Sequence, residues 1–254
     1  MAASALVLDL DGTLVDTAPD LAQATNHVLS RNGRRAVSLD EIRSLVGHGA
    51  RTLIRRSFAL TGGELAEDLV EPLFDAFIDY YGSHISERSR PFPGAVALLD
   101  GCRRAGIKLA VCTNKQEGLS LKLLAELNLS GYFSAVVGAD TLGVAKPDPA
   151  PYREAVRRAG ASVPASLMVG DSGTDVLLAR AAGVPVIAVS FGYCDRPVAE
   201  FEPDHLVDHF DEIWPLVRAR LALAPGLEIA GEGEGGDGAL FCTLPPRGGG
   251  SGRG

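Results

Sequence analysis

The sequence predicts an α/β protein with a Rossmann-like parallel-sheet core and an inserted α-helical cap subdomain. Three observations predict this class. Short apolar segments alternate with longer helical patterns, a long region after the first strand has helical patterns alone, and polar residues follow several strand ends. With 254 residues, of which 46% are hydrophobic and 22% charged, the chain can bury such a core without disulfides.

Core strands and helices follow one another along the chain. Short apolar segments bounded by Gly, Asp, Asn or Pro predict strands at 5–10, 107–112, 135–138, 167–170 and 185–189. Apolar residues at helical spacing predict helices at 93–105, 116–127, 148–159 and 175–182. Repeated strand-helix-strand units indicate a parallel sheet with helices on both faces, which binds ligands at the carboxyl ends of its strands.

The sequence patterns outside the core predict a helical cap and a C-terminal tail. Helical patterns occupy 19–32, 39–46, 50–60 and 64–84, and Ser38 and Glu41 form a predicted capping box. We therefore assign residues 16–90 to the cap, and residues 1–15 and 91–224 to the core. Residues 225–254 hold 11 of the 30 glycines, a composition typical of a disordered tail.

The charge and composition of the chain limit the classes of partner that it can bind. The chain has 24 Lys and Arg against 32 Asp and Glu, a net charge of -8, which argues against nucleic acid or anionic membrane as the main partner. The four cysteines form no CxxC pair, no apolar run approaches the length of a membrane span, and the N-terminus lacks the charged region of a secretory signal. We expect a cytoplasmic protein that is a monomer or homodimer.

The first strand is followed by two carboxylates, Asp9 and Asp11. Carboxylates this close repel one another, and burial raises the cost of ionising both. A divalent cation resolves that conflict, and hard oxygen ligands suit Mg²⁺. A turn with Asp and Gly at their favoured positions is the alternative for this segment.

Three later strand ends also carry polar residues. Thr113 and Asn114 follow the second strand, Lys146 lies in the loop after the third, and Asp171 and Asp175 follow the fourth. Each has a structural alternative, respectively a helix N-cap, a solvated lysine and a polar turn. The lysine is one of only four in the chain. Because parallel strands end at one edge of the sheet, the residues together predict a single site there.

These ordered motifs resemble those of the haloacid dehalogenase superfamily, in its phosphatase branch with a helical cap. The matching segments are 9–17, 113–114, 146–149 and 170–175, and the resemblance covers about residues 6–221. It implies a Mg²⁺-dependent phosphomonoesterase that acts on a small phosphorylated metabolite through an aspartyl-phosphate. A carboxylate that attacks an anionic phosphate needs such cationic shielding.

The resemblance also implies residue roles. Asp9 would be the nucleophile and a metal ligand, and Asp11 the general acid and base that also binds the metal through its backbone carbonyl. Thr113 and the backbone amide of Asn114 would bind phosphoryl oxygens. Lys146 would neutralise the charges of the nucleophile and the phosphate. Asp171 would be a metal ligand, and Asp175 would support Asp171 or Lys146.

The motif residues of the sequence do not fit those that other phosphatase and hydrolase classes require. Dehalogenases of the superfamily lack the second carboxylate, which is present here as Asp11. Phosphonatases need a cap lysine, and no lysine lies in residues 16–90. None of the four cysteines begins a CxxxxxR motif, and neither an RHG motif nor a GxxxxGK[ST] loop occurs.

The cap segment 45–54 resembles that of bacterial phosphoglycolate phosphatases, which implies 2-phosphoglycolate as substrate. Gly47 and Gly49 would let backbone amides approach a small anion at the start of the next helix. Arg51 either adds a charge-assisted bond or faces solvent, and His48 stands where related sequences often have Asn. A helix-connecting turn is the alternative for this segment. A sugar phosphate phosphatase and a non-catalytic phospho-acceptor module of receiver type are the alternative functions.

Overall fold

The computed structural model describes residues 3–221, and the glycine-rich tail predicted at 225–254 lies outside the described residues. Eight strands are present in the described part: β1 (Ala3–Leu8), β2 (Val15–Asp16), β3 (Arg90–Pro91), β4 (Lys108–Cys112), β5 (Ala135–Val137), β6 (Ala161–Gly170), β7 (Val186–Val189) and β8 (His205–Val207). The α-helices are α1 (Ala18–Arg31), α2 (Leu39–Leu45), α3 (Ala50–Gly62), α4 (Glu67–Ser83), α5 (Ala95–Arg104), α6 (Glu117–Glu126), α7 (Pro149–Arg158), α8 (Gly173–Ala182) and α9 (Ile213–Arg220).

Six strands form one parallel sheet in the order β5-β4-β1-β6-β7-β8, which confirms the predicted α/β class. All five predicted strands are present. The sequence pattern missed β8, because two of its three residues are exposed and the apolar signal of an edge strand is weak. It also placed the start of β6 too late, because Pro164 and Ser166 interrupt the apolar pattern.

The sheet is buried on both faces, as its apolar central strands require. From β1, Val7 packs with Tyr152 of α7 and with Met168, whereas Leu6 and Leu8 belong to the cluster on the opposite face. Helices α7 and α8 cover the first face, and α5, α6 and α9 lie on the second. No helix within residues 3–221 has the length and apolar character that a membrane crossing needs.

Residues 18–83 contain four helices and no strand, as the sequence pattern predicts for the cap. Each helix buries apolar side chains in the cluster that also includes Leu6 and Leu8, among them Leu29, Ile42, Phe58 and Phe77. The capping box at Ser38 is present, with the Ser38 hydroxyl accepting from the Glu41 amide at 3.1 Å. Tertiary burial therefore stabilises helices whose apolar stripes could not remain exposed.

The chain enters and leaves this helical region through two adjacent connections. Strands β2 and β3 pair antiparallel across them. The buried carboxylate of Asp20 accepts hydrogen bonds from the amides of Arg88 and Ser89, at 3.0 and 2.8 Å, and from the Ser89 hydroxyl at 2.6 Å. One side chain near the start of α1 thus holds the returning chain in place.

We expect Asp20→Asn to lower the free energy of unfolding by about 2 to 4 kcal/mol. The asparagine side chain has only one acceptor oxygen, and its NH₂ group, itself a donor, would face the donor groups of Arg88 and Ser89. Denaturant unfolding measures the change. The control is Asp79→Asn on the exposed face of α4, which should stay within about 0.5 kcal/mol of the parent. Equal stability of the two variants would contradict this role for Asp20.

Candidate active site

The carboxyl ends of three neighbouring strands bring together residues that are far apart in sequence. β1 lies between β4 and β6 in the sheet. Asp9 follows β1, Thr113 follows β4 and Asp171 follows β6, and all three are buried. The Asp9 amide donates to the carbonyl of Val169 at 2.9 Å, which continues the sheet pairing up to this carboxylate. The predicted convergence at one sheet edge is therefore present.

Asp9, Asp171 and Asp175 form a buried acidic cluster. Their carboxylates each offer an oxygen atom, and these atoms lie within 4.8 Å of one another. Burial, with a contribution from the charge of Asp175, raises the pKa of Asp9 to about 6 even though Lys146 opposes the shift. Burial and the charges of Asp9 and Asp175 likewise raise the pKa of Asp171 well above its usual range. Such a donor set fits a hard metal cation, because added positive charge is what keeps buried carboxylates ionised.

The side chain of Lys146 is inserted between two of these carboxylates. Its Nζ atom lies 2.9 Å from Asp9 Oδ1 and 2.7 Å from Asp175 Oδ1, and the side chain is only 1% exposed. Burial alone would lower the pKa of this lysine, but the carboxylates of Asp175 and Asp9 outweigh burial and raise it. Lys146 is therefore a permanent cation beside Asp9.

Asp175 has both carboxylate oxygens engaged. Oδ1 accepts from Lys146, and Oδ2 accepts from the Ser172 amide at 3.1 Å and the Ser172 hydroxyl at 2.7 Å. The bond from the Ser172 amide is part of the capping box that starts α8. Of the two supporting roles that the sequence left open for Asp175, contact with Lys146 is the one present.

Asp171 is held by groups that the sequence reasoning did not single out for this purpose. Its carboxylate accepts from the Thr13 hydroxyl at 2.9 Å and from the Tyr193 amide at 2.5 Å. Gly12, at φ +84°, and Gly192 pass so close that a Cβ atom on either would overlap Asp171. Thr13 lies within the first motif at 9–17, so its place in the sequence was a usable signal, whereas the Tyr193 contact depends on folding and has no local sequence signal.

Asp11 lies apart from the acidic cluster, in contact with a lysine that the sequence analysis missed. Lys115 Nζ donates to Asp11 Oδ1 and Oδ2 at 3.0 and 3.1 Å, and to the Tyr81 hydroxyl at 2.7 Å. The Lys115 side chain is 5% exposed. Burial and the charge of Asp11 raise the pKa of Tyr81 well above its usual range, so this phenol is neutral. The scarcity of lysine, which drew attention to Lys146, applied equally to Lys115.

Asn114 connects the core with the loop before α3. Its side-chain amide donates to the carbonyls of Gly47 at 3.2 Å and Lys146 at 3.3 Å, and its Oδ1 accepts from the Lys146 amide at 2.9 Å. From the sequence, only the backbone amide of Asn114 has a predicted role. The side chain positions the lysine loop and the cap loop relative to each other.

The predicted cap residues lie beside the same site. Gly47 and Gly49 have φ of +109° and +83°, which side chains rarely adopt, and Gly49 is the N-cap of α3 without a side-chain cap bond. Arg51 is half-exposed; its guanidinium forms two 2.7 Å bonds to Glu71 and lies 3.7 Å above the Phe74 ring. Its charge is thus already neutralised from within the cap. His48 Nε2 lies 3.7 Å from Asp195 of the core, an ion pair when the histidine is protonated.

A cavity of about 340 Å³ separates the helical region from the sheet edge. Its core side presents Asp9, Asp11, Thr113, Asn114 and Lys115. Its cap side presents the 47–49 loop, the start of α3 and apolar side chains, which include Leu21, Leu53, Phe77 and Ile78. The cavity therefore combines a charged floor with a mostly apolar roof.

Comparison with known proteins agrees with this arrangement. The family model described as haloacid dehalogenase-like hydrolase matches residues 6–189. A phosphoglycolate phosphatase from Agrobacterium fabrum is 46% identical over 215 residues, which are 85% of this chain and 92% of that protein. A crystal structure of a predicted phosphoglycolate phosphatase from Haemophilus somnus has a TM-score of 0.79 and 31% identity, over 84% of this chain and 97% of that one.

CbbY from Rhodobacter sphaeroides, solved in complex with phosphate, has a TM-score of 0.71 and 25% identity, over 84% of this chain and 96% of that one. The family match spans β1 to β7 and so includes all the strand ends that build the site. A resemblance first based on four short motifs thus extends through the sheet and the helices above it, and the chain belongs to the haloacid dehalogenase-like hydrolase family.

Proposed function

We propose that the protein is a Mg²⁺-dependent phosphomonoesterase that hydrolyses 2-phosphoglycolate to glycolate and phosphate. The observation that carries this proposal is the placement of Asp9, paired with Lys146 at 2.9 Å, at the floor of a cavity that Asp11 also lines. A nucleophilic carboxylate and a separate acid and base suit phosphate ester hydrolysis. The relative from Agrobacterium fabrum named phosphoglycolate phosphatase supports the choice of substrate.

In the first half of the reaction, a carboxylate oxygen of Asp9 attacks phosphorus and the bond to the leaving oxygen breaks. Lys146 offsets the repulsion between the carboxylate and the phosphate. Asp11 gives a proton to the leaving alcohol, and Thr113 with the Asn114 amide binds phosphoryl oxygens. The products of this half are an aspartyl-phosphate on Asp9 and the free alcohol.

In the second half, Asp11 removes a proton from water, and the resulting hydroxide attacks the phosphorus of the aspartyl-phosphate. The bond to Asp9 breaks, so inorganic phosphate leaves and the carboxylate is regenerated. Asp11 ends protonated, ready for another leaving group. Asp11 can both donate and accept a proton because it lies outside the acidic cluster and lines the cavity.

The residues that would hold Mg²⁺ are Asp9, Asp171 and the backbone carbonyl of Asp11. Asp175 would act through its bonds to Lys146 and Ser172. When bound, the ion supplies positive charge that stabilises the phosphoryl group during transfer. The close, buried oxygens of the acidic cluster support this assignment.

We also propose that residues 16–90 act as a cap that selects the leaving group. Gly47 and Gly49 would bring the amides at the start of α3 to a small anion, with His48 and Arg51 at the cavity wall. The apolar cap side offers few partners for the hydroxyl groups of a sugar phosphate, which favours the short acidic substrate. The predicted cytoplasmic location and oligomeric state stay predictions.

Removal of the metal should abolish turnover of 2-phosphoglycolate, because Lys146 alone cannot compensate the charges of the acidic cluster and of the phosphate. Activity measured in a chelator should return on addition of Mg²⁺. Ca²⁺ should restore it poorly, since its looser coordination misplaces the nucleophile. Full turnover in the chelator would exclude the metal-dependent mechanism.

The two carboxylates of the first motif should differ in function. Asp9→Asn removes the attacking anion, so no phosphoenzyme can form. Asp11→Asn cannot transfer protons, but an aryl phosphate has a good leaving group, so this variant should form the phosphoenzyme from it and stall at hydrolysis. Single-turnover mass spectrometry distinguishes them. Covalent phosphate on Asp9→Asn, or a fully active Asp11→Asn, would overturn the assignments.

Substitution of Gly49 should affect the natural substrate selectively. Gly49 has φ +83°, a backbone conformation that side chains rarely adopt, so Gly49→Val should displace the start of α3. We expect kcat/KM to fall about tenfold or more for 2-phosphoglycolate and much less for p-nitrophenyl phosphate. Gly63→Val, with positive φ and open space at the other end of α3, is the matched control. Equal losses on both substrates would show that the cap only closes the site.

A further inference from the structure

Lys115 is a buried cation to which the mechanism above assigns no role. It follows Asn114 at the end of β4, lines the cavity and is 5% exposed. Its ammonium group contacts the carboxylate of Asp11 on the core side and the hydroxyl and ring of Tyr81 on the cap side. Burying an ammonium group is costly, so a lysine at this place calls for a functional explanation.

The other cationic side chains near the cavity are already committed. Among the described residues that line it, Arg51 is bound in a bidentate pair to Glu71, and His48 faces Asp195. Lys146 is 1% exposed and contacts both Asp9 and Asp175. Lys115 is the lysine among the described lining residues and stands at the boundary between the charged floor and the apolar roof.

The distance from Lys115 to the reacting bond suits a contact with the substrate. Asp11, as acid, must come within hydrogen-bond distance of the leaving oxygen, and Lys115 Nζ lies 3.0 Å from the same carboxylate. The ammonium group is therefore within about 6 Å of the leaving oxygen. In 2-phosphoglycolate the carboxyl group is attached to the carbon that bears this oxygen, so it lies on the same side of the cavity.

We propose that Lys115 is a further specificity-determining residue of this site, in addition to the start of α3, and binds the carboxylate of the substrate, an inference that rests on the proposed function. An ammonium group has three donors. One is directed to Tyr81, and the other two can be shared between Asp11 and the substrate. The class selected is a short phosphate monoester with a carboxylate on the carbon next to the ester oxygen.

Tyr81 has a positioning role in this arrangement. It is fully buried on α4, and its hydroxyl accepts from Lys115 at 2.7 Å while its ring lies 4.4 Å from the ammonium nitrogen. It brings no competing negative charge. A cap residue thus fixes the direction in which a core lysine points, and the carboxylate site is complete when both parts of the chain are in contact.

The test compares 2-phosphoglycolate with ethyl phosphate, which has a methyl group in place of the carboxylate. The readout is the ratio of the two kcat/KM values. Damage to Asp11 lowers kcat/KM for both substrates and so leaves the ratio unchanged. The variants are Lys115→Met and Tyr81→Phe. The control is Lys108→Met, which removes an exposed lysine at the opposite end of the same strand. Melting temperatures verify folding.

Wild-type enzyme should prefer 2-phosphoglycolate. Lys115→Met should lower the ratio about 10- to 100-fold, mainly because the natural substrate binds more weakly and its KM rises when the charge-assisted bond to the carboxylate is lost. Tyr81→Phe should lower it less, in the same direction, and supplies the test if Lys115→Met does not fold. Lys108→Met should leave the ratio unchanged.

Two contrary outcomes have different meanings. A wild-type preference that persists unchanged in Lys115→Met, or in Tyr81→Phe where the first variant does not fold, would show that Lys115 serves only Asp11. That result overturns the inference and leaves the proposed substrate standing. Equal wild-type turnover of both substrates would refute the proposed substrate, and the inference with it.

Discussion

The site depends on the neutralisation of several carboxylates buried at one edge of a parallel sheet. Asp9, Asp171 and Asp175 come together because adjacent strands end side by side, and each carboxylate raises the cost of ionising the next. Lys146 offsets part of this repulsion from within the protein. The glycines around Asp171 allow the approach, since any side chain at Gly12 or Gly192 would occupy the place of its carboxylate.

Specific polar contacts join the core to the helical region 18–83 and its loops. The Asn114 side chain binds the Gly47 carbonyl of the cap and both the amide and carbonyl of Lys146, so the position of the lysine and that of the cap loop are linked. Tyr81 and Lys115 make a second connection, to Asp11. Because these contacts are at least partly buried, each is stronger than it would be at an exposed surface. A cap attached in this way can influence chemistry at the sheet edge.

Much of the fold was predictable because it follows from local patterns. Alternating strand and helix signals located five of the six strands of the parallel sheet, and the absence of strand signals after residue 16 located the four helices above them. Edge strand β8 escaped, since only one of its three residues is buried. The early part of β6 escaped because Pro164 interrupts the pattern, while its pairing with β1 is a tertiary contact. Pairing with a neighbouring strand, and not local propensity, made both segments strands.

By itself, the sequence determined the fold class, the position of the helical region after the first strand and the identity of the residues at the strand ends. These depend on periodicity and on the order of motifs, which are properties of short segments. Only the tertiary structure decided which charges meet. It paired Lys115 with Asp11, 104 residues apart, and with Tyr81 of the cap, and it joined Arg51 to Glu71 at the cavity wall. Such pairings depend on distances between elements that packing brings together, and no local pattern encodes them.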